Sequence, residues 1–347
     1  MIVGRYLGEL AAGDPLQRLL GDVAVGRLGA REPDGFSVFG LPGTNEIYAY
    51  EGRASGARIV CKFFGTRYGG DVELAVRAAR REQQALHGLR EAGLCGSPHH
   101  VVCPYGVEPA LNCVLALEYY DGERLSEVID RAREHRDVPH LLRRLEALAF
   151  FLATQHIRTA TEEPVNFDVD CAYLDVLVGT VRDTGRIGQW DVDELSWLRD
   201  LWRVRPRMWQ DRQVWLHGDA TPANFLFGEG LDVAAIDLER CRRGDRLFDV
   251  GRIAGELRHA FLQDADDSPD AADLHDTDER DRAACIGHFL RSYCRHFPDE
   301  EAMCAELTTR MPYYMACTLL RVARNSYIHG EHAARLVDHA KQLLRTP

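Results

Sequence analysis

The spacing of apolar and polar positions changes period along the chain, and those changes mark out its parts. Arg58-Ile59-Val60-Cys61-Lys62-Phe63-Phe64 is a short β-prone run with a lysine near its centre, and it predicts a strand. Ahead of it, Gly43-Thr44-Asn45 leads as a turn into a second strand, Glu46 to Tyr50, and Gly52 to Gly56 form the next turn. From Asp71 to about Arg90 the period becomes helical, with Leu74, Ala75, Ala78, Ala79, Ala85, Leu86 and Leu89 on one face. Glu82 falls on that face, and a buried carboxylate without a partner is costly. Glu73 instead shares its side with Arg77, Arg80 and Arg81 and reads as solvated. The pattern therefore predicts a Lys62–Glu82 ion pair. The plainer reading is a lysine snorkelling at a sheet edge and an unrelated surface glutamate.

Further on, Val114 to Glu118 is an apolar strand that breaks into the polar turn Tyr119-Tyr120-Asp121-Gly122. From Arg124 onward the pattern is mainly helical, with Leu141 to His156 as one long amphipathic segment. Residues 1–30 carry Leu7, Leu10, Leu16, Leu19 and Leu20, which suggest one or two short helices with no assigned chemistry.

Composition narrows the class. A chain of 347 residues with 46% hydrophobic and 28% charged positions suits two domains or one large two-lobed domain. A net charge of −12 argues against nucleic acid as a partner and fits a cationic small substrate or simple solubility. No apolar run approaches the ~20 residues that cross a bilayer, and Met1 to Tyr6 lacks the layout of a secretion signal. The expectation is a cytoplasmic protein without a membrane partner. Ten cysteines include no Cys-x-x-Cys pair, so they read as reduced thiols rather than zinc ligands. Of 42 basic residues only Lys62 and Lys341 are lysines, so a lysine kept inside a strand suggests a task for a compact ammonium.

The candidate chemistry is concentrated in Trp215-Leu216-His217-Gly218-Asp219-Ala220-Thr221-Pro222-Ala223-Asn224 and in Ile236-Asp237-Leu238-Glu239. Phe225-Leu226-Phe227 and Val233-Ala234-Ala235-Ile236 read as two brief strands around a turn at Gly228-Glu229-Gly230. Paired antiparallel, they bring Asn224 and Asp237 out at one end, with Asp219 on the loop leading there. Two oxygen ligands and a separate carboxylate base suit metal-assisted phosphoryl transfer, and magnesium prefers carboxylate and amide oxygens. A His-x-Asp metal centre for hydrolysis competes, but the stretch 214–237 contains no second histidine.

His217-x-Asp219-x-x-x-x-Asn224 followed by Asp237 resembles the signature of the aminoglycoside phosphotransferase and choline kinase superfamily. The run Gly244-Asp245-Arg246-Leu247-Phe248-Asp249 is similar to that family's Gly-Asp…Asp-Leu-Ala segment. The resemblance implies an α+β, protein-kinase-like fold of two lobes: a small β-rich N-terminal lobe with one main helix over 1–120, and a mainly helical catalytic and substrate lobe over 121–347. It implies Asp219 as the base and Asn224 and Asp237 as magnesium ligands, with His217 a framework residue. Lys62, paired with Glu82, would touch the phosphates of ATP, or of GTP in its place. Gly43, Thr44 and Asn45 would cover a phosphate, although no Gly-x-Gly-x-x-Gly is present. Main-chain groups of Glu118, Tyr119 and Tyr120 would meet the base.

The expected reaction moves the γ-phosphoryl group to a hydroxyl of a small molecule: an aminoglycoside, an amino alcohol or a sugar-like compound. A protein or glycolipid kinase of the same fold and a nucleotide-binding regulatory pseudokinase are the alternatives. Some assignments have structural readings: Glu239 a salt bridge to Arg240, Arg242 or Arg243, and Asp249 a helix cap or a brace for the catalytic loop. The acidic run from Asp264 to Glu279 reads as a solvated loop between helices. Tyr313, Tyr314, Arg321, Arg324 and Asn325 fall on a late helix, Met311 to about Tyr327, as pocket or core residues.

Overall fold

The computed structural model describes all residues except 1, 3, 32–34, 44, 45, 268–270 and 347, and all side chains but those and 263–267 and 271–282. The chain forms two compact units: Met1–Gly122 with Ala234–Arg240, and Glu123–Val233 with Cys241–Pro347. The seven residues that carry Asp237 and Glu239 thus group with the N-terminal unit. None of the helices among the described residues is long and apolar enough to cross a membrane.

The first unit is built on an antiparallel sheet. It comprises β1 (Arg5–Glu9), β2 (Phe36–Leu41), β3 (Glu46–Gly52) and β4 (Arg58–Phe63), with α1 (Pro15–Leu28) between the first two strands and α2 (Val72–Glu91) after the fourth. β5 (Cys95–Gly96) and β6 (His99–Val101) form a small pair, followed by β7 (Pro104–Glu108) and β8 (Val114–Glu118). The sheet order is β1-β2-β3-β4-β8-β7. Residues 5–9, expected as part of a helical extension, are instead an edge strand. Only residue 8 lies well outside ordinary strand backbone, and it is a glycine with φ 125°. The single helix of that extension starts at Pro15, where Asp14 caps it and proline fills the first turn.

Strand alternation sets the chemistry of β4. Ile59 and Cys61 point into a core with Leu16, Leu20, Val23, Phe36, Tyr50, Val114 and Ala116. Lys62, one residue on, therefore points to the other face, paired in register with Ile47 of β3 and Leu115 of β8. On that side α2 presents buried Ala75, Ala79, Glu82, Leu86 and Leu89. Asp71 caps α2 through the amide of Leu74.

The second unit begins with β9 (Glu123–Arg124) and four helices: α3 (Leu125–His135), α4 (Val138–Arg158), α5 (Phe167–Asp183) and α6 (Gln189–Arg203). β10 (Val214–Leu216) and β11 (Phe225–Phe227) follow, with β9 paired to β11. The turn at 228–232 closes through Gly228 N to Asp232 O at 3.0 Å, as the glycines suggest. β12 (Val233–Ala235) carries the chain back to the first unit, where the Val102 amide donates to Ala235 O. β13 (Arg242–Gly244) pairs antiparallel with β10. The remainder is helical: α7 (Leu247–Asp267), α8 (Ala271–Cys294), α9 (Glu300–Ala323) and α10 (Gly330–Arg345). The acidic run is thus not simply a loop: its flanks belong to the backbone of α7 and α8, while residues 268–270 lie outside the described residues. Tyr313 and Tyr314 are core residues of α9, which starts earlier than expected and ends at Ala323.

α7 and α9 approach closely because two glycines face the contact. A β-carbon on Gly251 would stand 2.3 Å from Cβ of Tyr314, and one on Gly255 would stand 2.5 Å from Cβ of Thr318. The spacing of four on both helices is one turn, so the two contacts stack along the same seam.

Candidate active site

In the first unit the site is a buried cation among carboxylates. Lys62, only 2% exposed, sends Nζ to Glu82 Oε2 at 2.7 Å and to Asp237 Oδ1 at 2.5 Å, with Glu239 Oε2 at 3.4 Å. Burial pulls the pKa of the Lys62 ammonium down, but the three acids outweigh it and hold it above its usual value. Burial pushes the Glu82 carboxyl up to about 7 against the pull of Lys62, with Asp237 adding repulsion. One ammonium facing three carboxylates leaves surplus negative charge, and the fully buried acid is the one that resists ionising.

Glu239 does not pair chiefly with the arginines next to it in sequence. Its main partner is Arg67, at 2.7 Å, with Arg240 at 3.9 Å. Arg67 lies in a 3-10 turn, Thr66–Tyr68, directly after β4, and no periodicity connects it to residue 239. Asp237 has φ 62°, a left-handed conformation uncommon for a non-glycine residue. Oxygen atoms of Glu82, Asp237 and Glu239 lie within 4.8 Å of one another, and the ammonium of Lys62 is the cation that they share.

The residues expected to cover a phosphate, Gly43, Thr44 and Asn45, are only partly described. Gly43 is exposed, and Thr44 and Asn45 lie outside the described residues. At the end of β8 Glu118 is engaged through its amide and its side chain. Its amide donates to Cys103 O at 2.9 Å, and its carboxylate accepts from the Cys103 amide and pairs with His100 Nε2 at 2.8 Å. Glu118 therefore ties the strand end to the neighbouring loop through its N–H and its carboxylate. Burial raises the Glu118 carboxyl, but the His100 and Cys103 bonds overcome this and hold it below its usual range. The guanidinium of Arg58 sits over the Tyr119 ring, 5.5 Å from its centroid, and the Tyr120 ring lies 5.6 Å from that of His100.

In the second unit the site is a loop held from behind. Between β10 and the turn Pro222–Asn224, His217 is fully buried and Gly218 takes φ 79°, which favours glycine. Asp249, in the first turn of α7, accepts from the His217 amide at 2.6 Å and the Gly218 amide at 3.0 Å. It braces the loop that carries Asp219 rather than capping its own helix. Burial would raise the Asp249 carboxyl, yet His156 and these amides hold it below its usual range. His156 Nε2 lies 3.6 Å from Asp249, and its Nδ1 meets Tyr293 Oη at 2.8 Å. A chain of support thus runs from α8 through α4 and α7 to the loop.

Asp219 and Asn224 project from that braced loop. Asn224 Nδ2 donates to the Asp219 carbonyl at 2.9 Å, which commits its amide nitrogen and leaves Oδ1 as the ligand-type atom. Arg252, three residues after Asp249 and 3% exposed, places Nη1 3.7 Å from Asp219 Oδ1. Its Nη2 donates to Tyr173 Oη at 2.9 Å and its plane lies 5.2 Å from the Phe248 ring centroid. Sequence reading did not single out Arg252 or His156. The available signal was spacing: Arg252 follows Asp249 by nearly one helical turn, so both side chains face the same loop.

Comparisons with known proteins bear on the family and the fold. The profile of the phosphotransferase enzyme family matches residues 45–288. No curated protein matches the chain. Among solved structures, an ethanolamine kinase from Plasmodium vivax is similar at TM-score 0.53 and 14% identity, covering 96% of this chain and 88% of that one. The choline kinase LicA from Streptococcus pneumoniae gives 0.54 and 12%, covering 96% and 99%. A thermostable aminoglycoside phosphotransferase mutant, crystallised as a ternary complex with ADP and hygromycin B, gives 0.54 and 12%, covering 94% and 98%. These likenesses show an α+β fold of the protein-kinase-like small-molecule kinases, and with a profile match over more than half its length the chain belongs to the phosphotransferase enzyme family.

Proposed function

We propose that this phosphotransferase moves the γ-phosphoryl group of ATP onto a hydroxyl of a small molecule, such as an amino alcohol, an amino sugar or an aminoglycoside. The observation that carries the reading is Lys62, a buried ammonium held by Glu82, Asp237 and Glu239 in a chain that otherwise uses arginine. A compact cation anchored in this way suits phosphate oxygens. ADP in the related aminoglycoside phosphotransferase supports an adenine nucleotide as donor.

In this mechanism Lys62, oriented by Glu82, binds the phosphates of the donor. Asp237 and Asn224 would hold magnesium, which would neutralise phosphate charge there. Asp219 accepts the proton of the acceptor hydroxyl as its oxygen attacks the γ-phosphorus. The new O–P bond forms, the bond to the β–γ bridging oxygen breaks, and ADP departs carrying that electron pair. His217 and Asp249 keep the loop in place, and Arg252 steadies the carboxylate of Asp219.

The test is ADP release with magnesium and ATP across a panel of aminoglycosides, choline, amino sugars, methylthioribose, homoserine and macrolides. The expected result is acceptor-dependent release by the native chain. Asp219→Asn should lower it by about 10²–10⁴ while nucleotide binding, read by calorimetry, persists. Undiminished transfer by that variant rejects Asp219 as the base. Nucleotide binding without transfer to any hydroxyl would favour a regulatory protein instead.

A further inference from the structure

Two arginines stand within reach of Asp219 in the second unit, and together they carry more N–H groups than the fold uses. Arg252, 3% exposed, places Nη1 3.7 Å from Asp219 Oδ1 and makes no hydrogen bond from that atom. One turn further along α7, Glu256 takes Nη2 of Arg321, from α9, at 2.5 Å. Arg321 reaches that place because the two helices touch there. A β-carbon on Gly255 would already meet Thr318, and Arg321 follows Thr318 by three residues, so it emerges next along the same seam. Burial pulls the Arg321 guanidinium down, but Glu256 and then Asp219 hold it above its usual value. The base and this second cation therefore feel each other.

The surplus has a sign. A guanidinium carries five N–H donors and no acceptor. Among the described residues Arg252 spends one on Tyr173 and Arg321 one on Glu256. Nη1 of Arg252 and Nε of Arg321 are buried without a hydrogen-bond partner. Glu256, the further acid on this stretch of α7, is committed to Arg321 and only 13% exposed. Arg321 itself is 17% exposed and Asp219 20%, so both present part of the side chain to a ligand. A cationic ligand would find two guanidinium groups here, whereas an oxyanion would find unused donors. The net charge of −12 does not reverse this, because salt confines the reach of surface charges to about 10 Å.

We propose that the acceptor is a hydroxyl compound that also bears an acid group: its hydroxyl lies between Arg252 and Asp219, and Arg321 receives its carboxylate or phosphate. The inference rests on Asp219 as the base of the phosphotransfer proposed above, and it names the class of compound that this reaction consumes. Glu256 is a positioning residue. It holds the Arg321 fork by one nitrogen and leaves the other N–H groups to pair with two oxygens of the acid. The hydroxyl site belongs to the Arg252 turn of α7 and the acid site to the Glu256 turn, four residues or roughly 6 Å apart along the axis. A short carbon chain spans that distance. The rings of Tyr173 and Phe248, 5.2 Å apart and edge to face, flank the Arg252 end. An ammonium in place of the acid would face like charge.

Acceptor-dependent ADP release by the full chain, with magnesium and ATP, tests this on matched compounds. Glycerate and glycerol 3-phosphate are set against glycerol, gluconate against sorbitol, and choline and glucosamine form a cationic arm. The acids should show kcat/KM about tenfold to a hundredfold above their neutral parents, the worth of a hydrogen bond to a charged group. Arg321→Gln should remove that preference by raising KM for the acids, and Arg321→Lys should restore part of it. Calorimetry should find native ATP affinity in the Gln variant, since the anion received belongs to the acceptor and not to the donor. Glu256→Gln combined with Arg321→Gln keeps an uncharged pair at the seam and serves if the single variant does not fold. Equal or better turnover of glycerol, sorbitol, choline or glucosamine by the native chain overturns the inference and leaves phosphotransfer standing. A preference for acids that survives Arg321→Gln, or a loss of ATP affinity in that variant, overturns the role of Arg321. Silence with these compounds and with the earlier panel overturns the phosphotransfer reading itself, and this inference with it.

Discussion

At the scale of single residues, the loop carrying Asp219 is specified mostly by groups behind it. Asp249 fixes two backbone amides, and Arg252 stands beside the carboxylate itself with its other nitrogen committed to Tyr173. The 3.7 Å between Arg252 Nη1 and Asp219 Oδ1 is too long for a hydrogen bond. One hydroxyl oxygen spans it with two bonds of about 2.8 Å, donating to the carboxylate and accepting from the guanidinium. Arg252→Met is expected to lower kcat about tenfold to a hundredfold with little change in ATP affinity. Arg252→Lys should recover only part of the loss, since a point charge cannot hold Tyr173 and Asp219 together. Steady-state kinetics beside nucleotide calorimetry would show it, and an unchanged kcat in the Met variant would dismiss the role.

The same residues show how much of the site was legible in sequence. Lys62 and Glu82 could be paired because a carboxylate on an apolar helix face demands a partner, and a single strand lysine was at hand. Arg67 with Glu239, and His156 with Asp249, join positions whose nearness depends on the tertiary fold, which no local period encodes. The ties of Glu118 to Cys103 and His100 likewise join positions that no local period connects.

At the scale of elements, helices were legible through their 3.6-residue period, whereas β1 was not, because its burial pattern is mostly exposed and lacks alternation. The α7–α9 seam is a case where composition makes geometry. Gly251 and Gly255 let α7 approach Tyr314 and Thr318. Gly251→Ala should raise helix propensity and still destabilise, by about 1–3 kcal/mol of overpacking, read as a lower midpoint in urea. An increase in stability would mean that the seam yields.

Behind that seam lies a buried polar network. Asp170 of α5 bonds Arg242 at 3.3 Å and receives Tyr314 Oη at 3.3 Å, while Asp245 bonds Tyr314 at 2.7 Å and pairs with Arg310. Burial, with Asp245 adding repulsion and Arg242 opposing, raises the Asp170 carboxyl from 3.8 to about 7. The folded state therefore holds this proton more tightly than the unfolded chain, and its contribution is lost as pH rises from about 4 to about 7. Asp170→Asn removes that slope. Relative to the native chain its melting temperature should climb across this window, and a difference independent of pH would refute the assignment.

At the scale of the whole molecule, the first unit is discontinuous: Ala234–Arg240 supplies the Val102 partner and two of the three acids around Lys62. Residues 1–122 alone should therefore lack a cooperative thermal transition, and adding a peptide of 230–242 should restore some of it. Cooperative melting of the fragment without the peptide would show that the seven residues are dispensable.

The same discontinuity orders events during synthesis. A nascent chain that has emerged only to residue 233 holds Lys62 with one acid instead of three. The unit that is translated first is thus completed late, after residues 217–224 have left the ribosome, and a pause before Arg240 would prolong the interval in which Lys62 lacks two of its three acids.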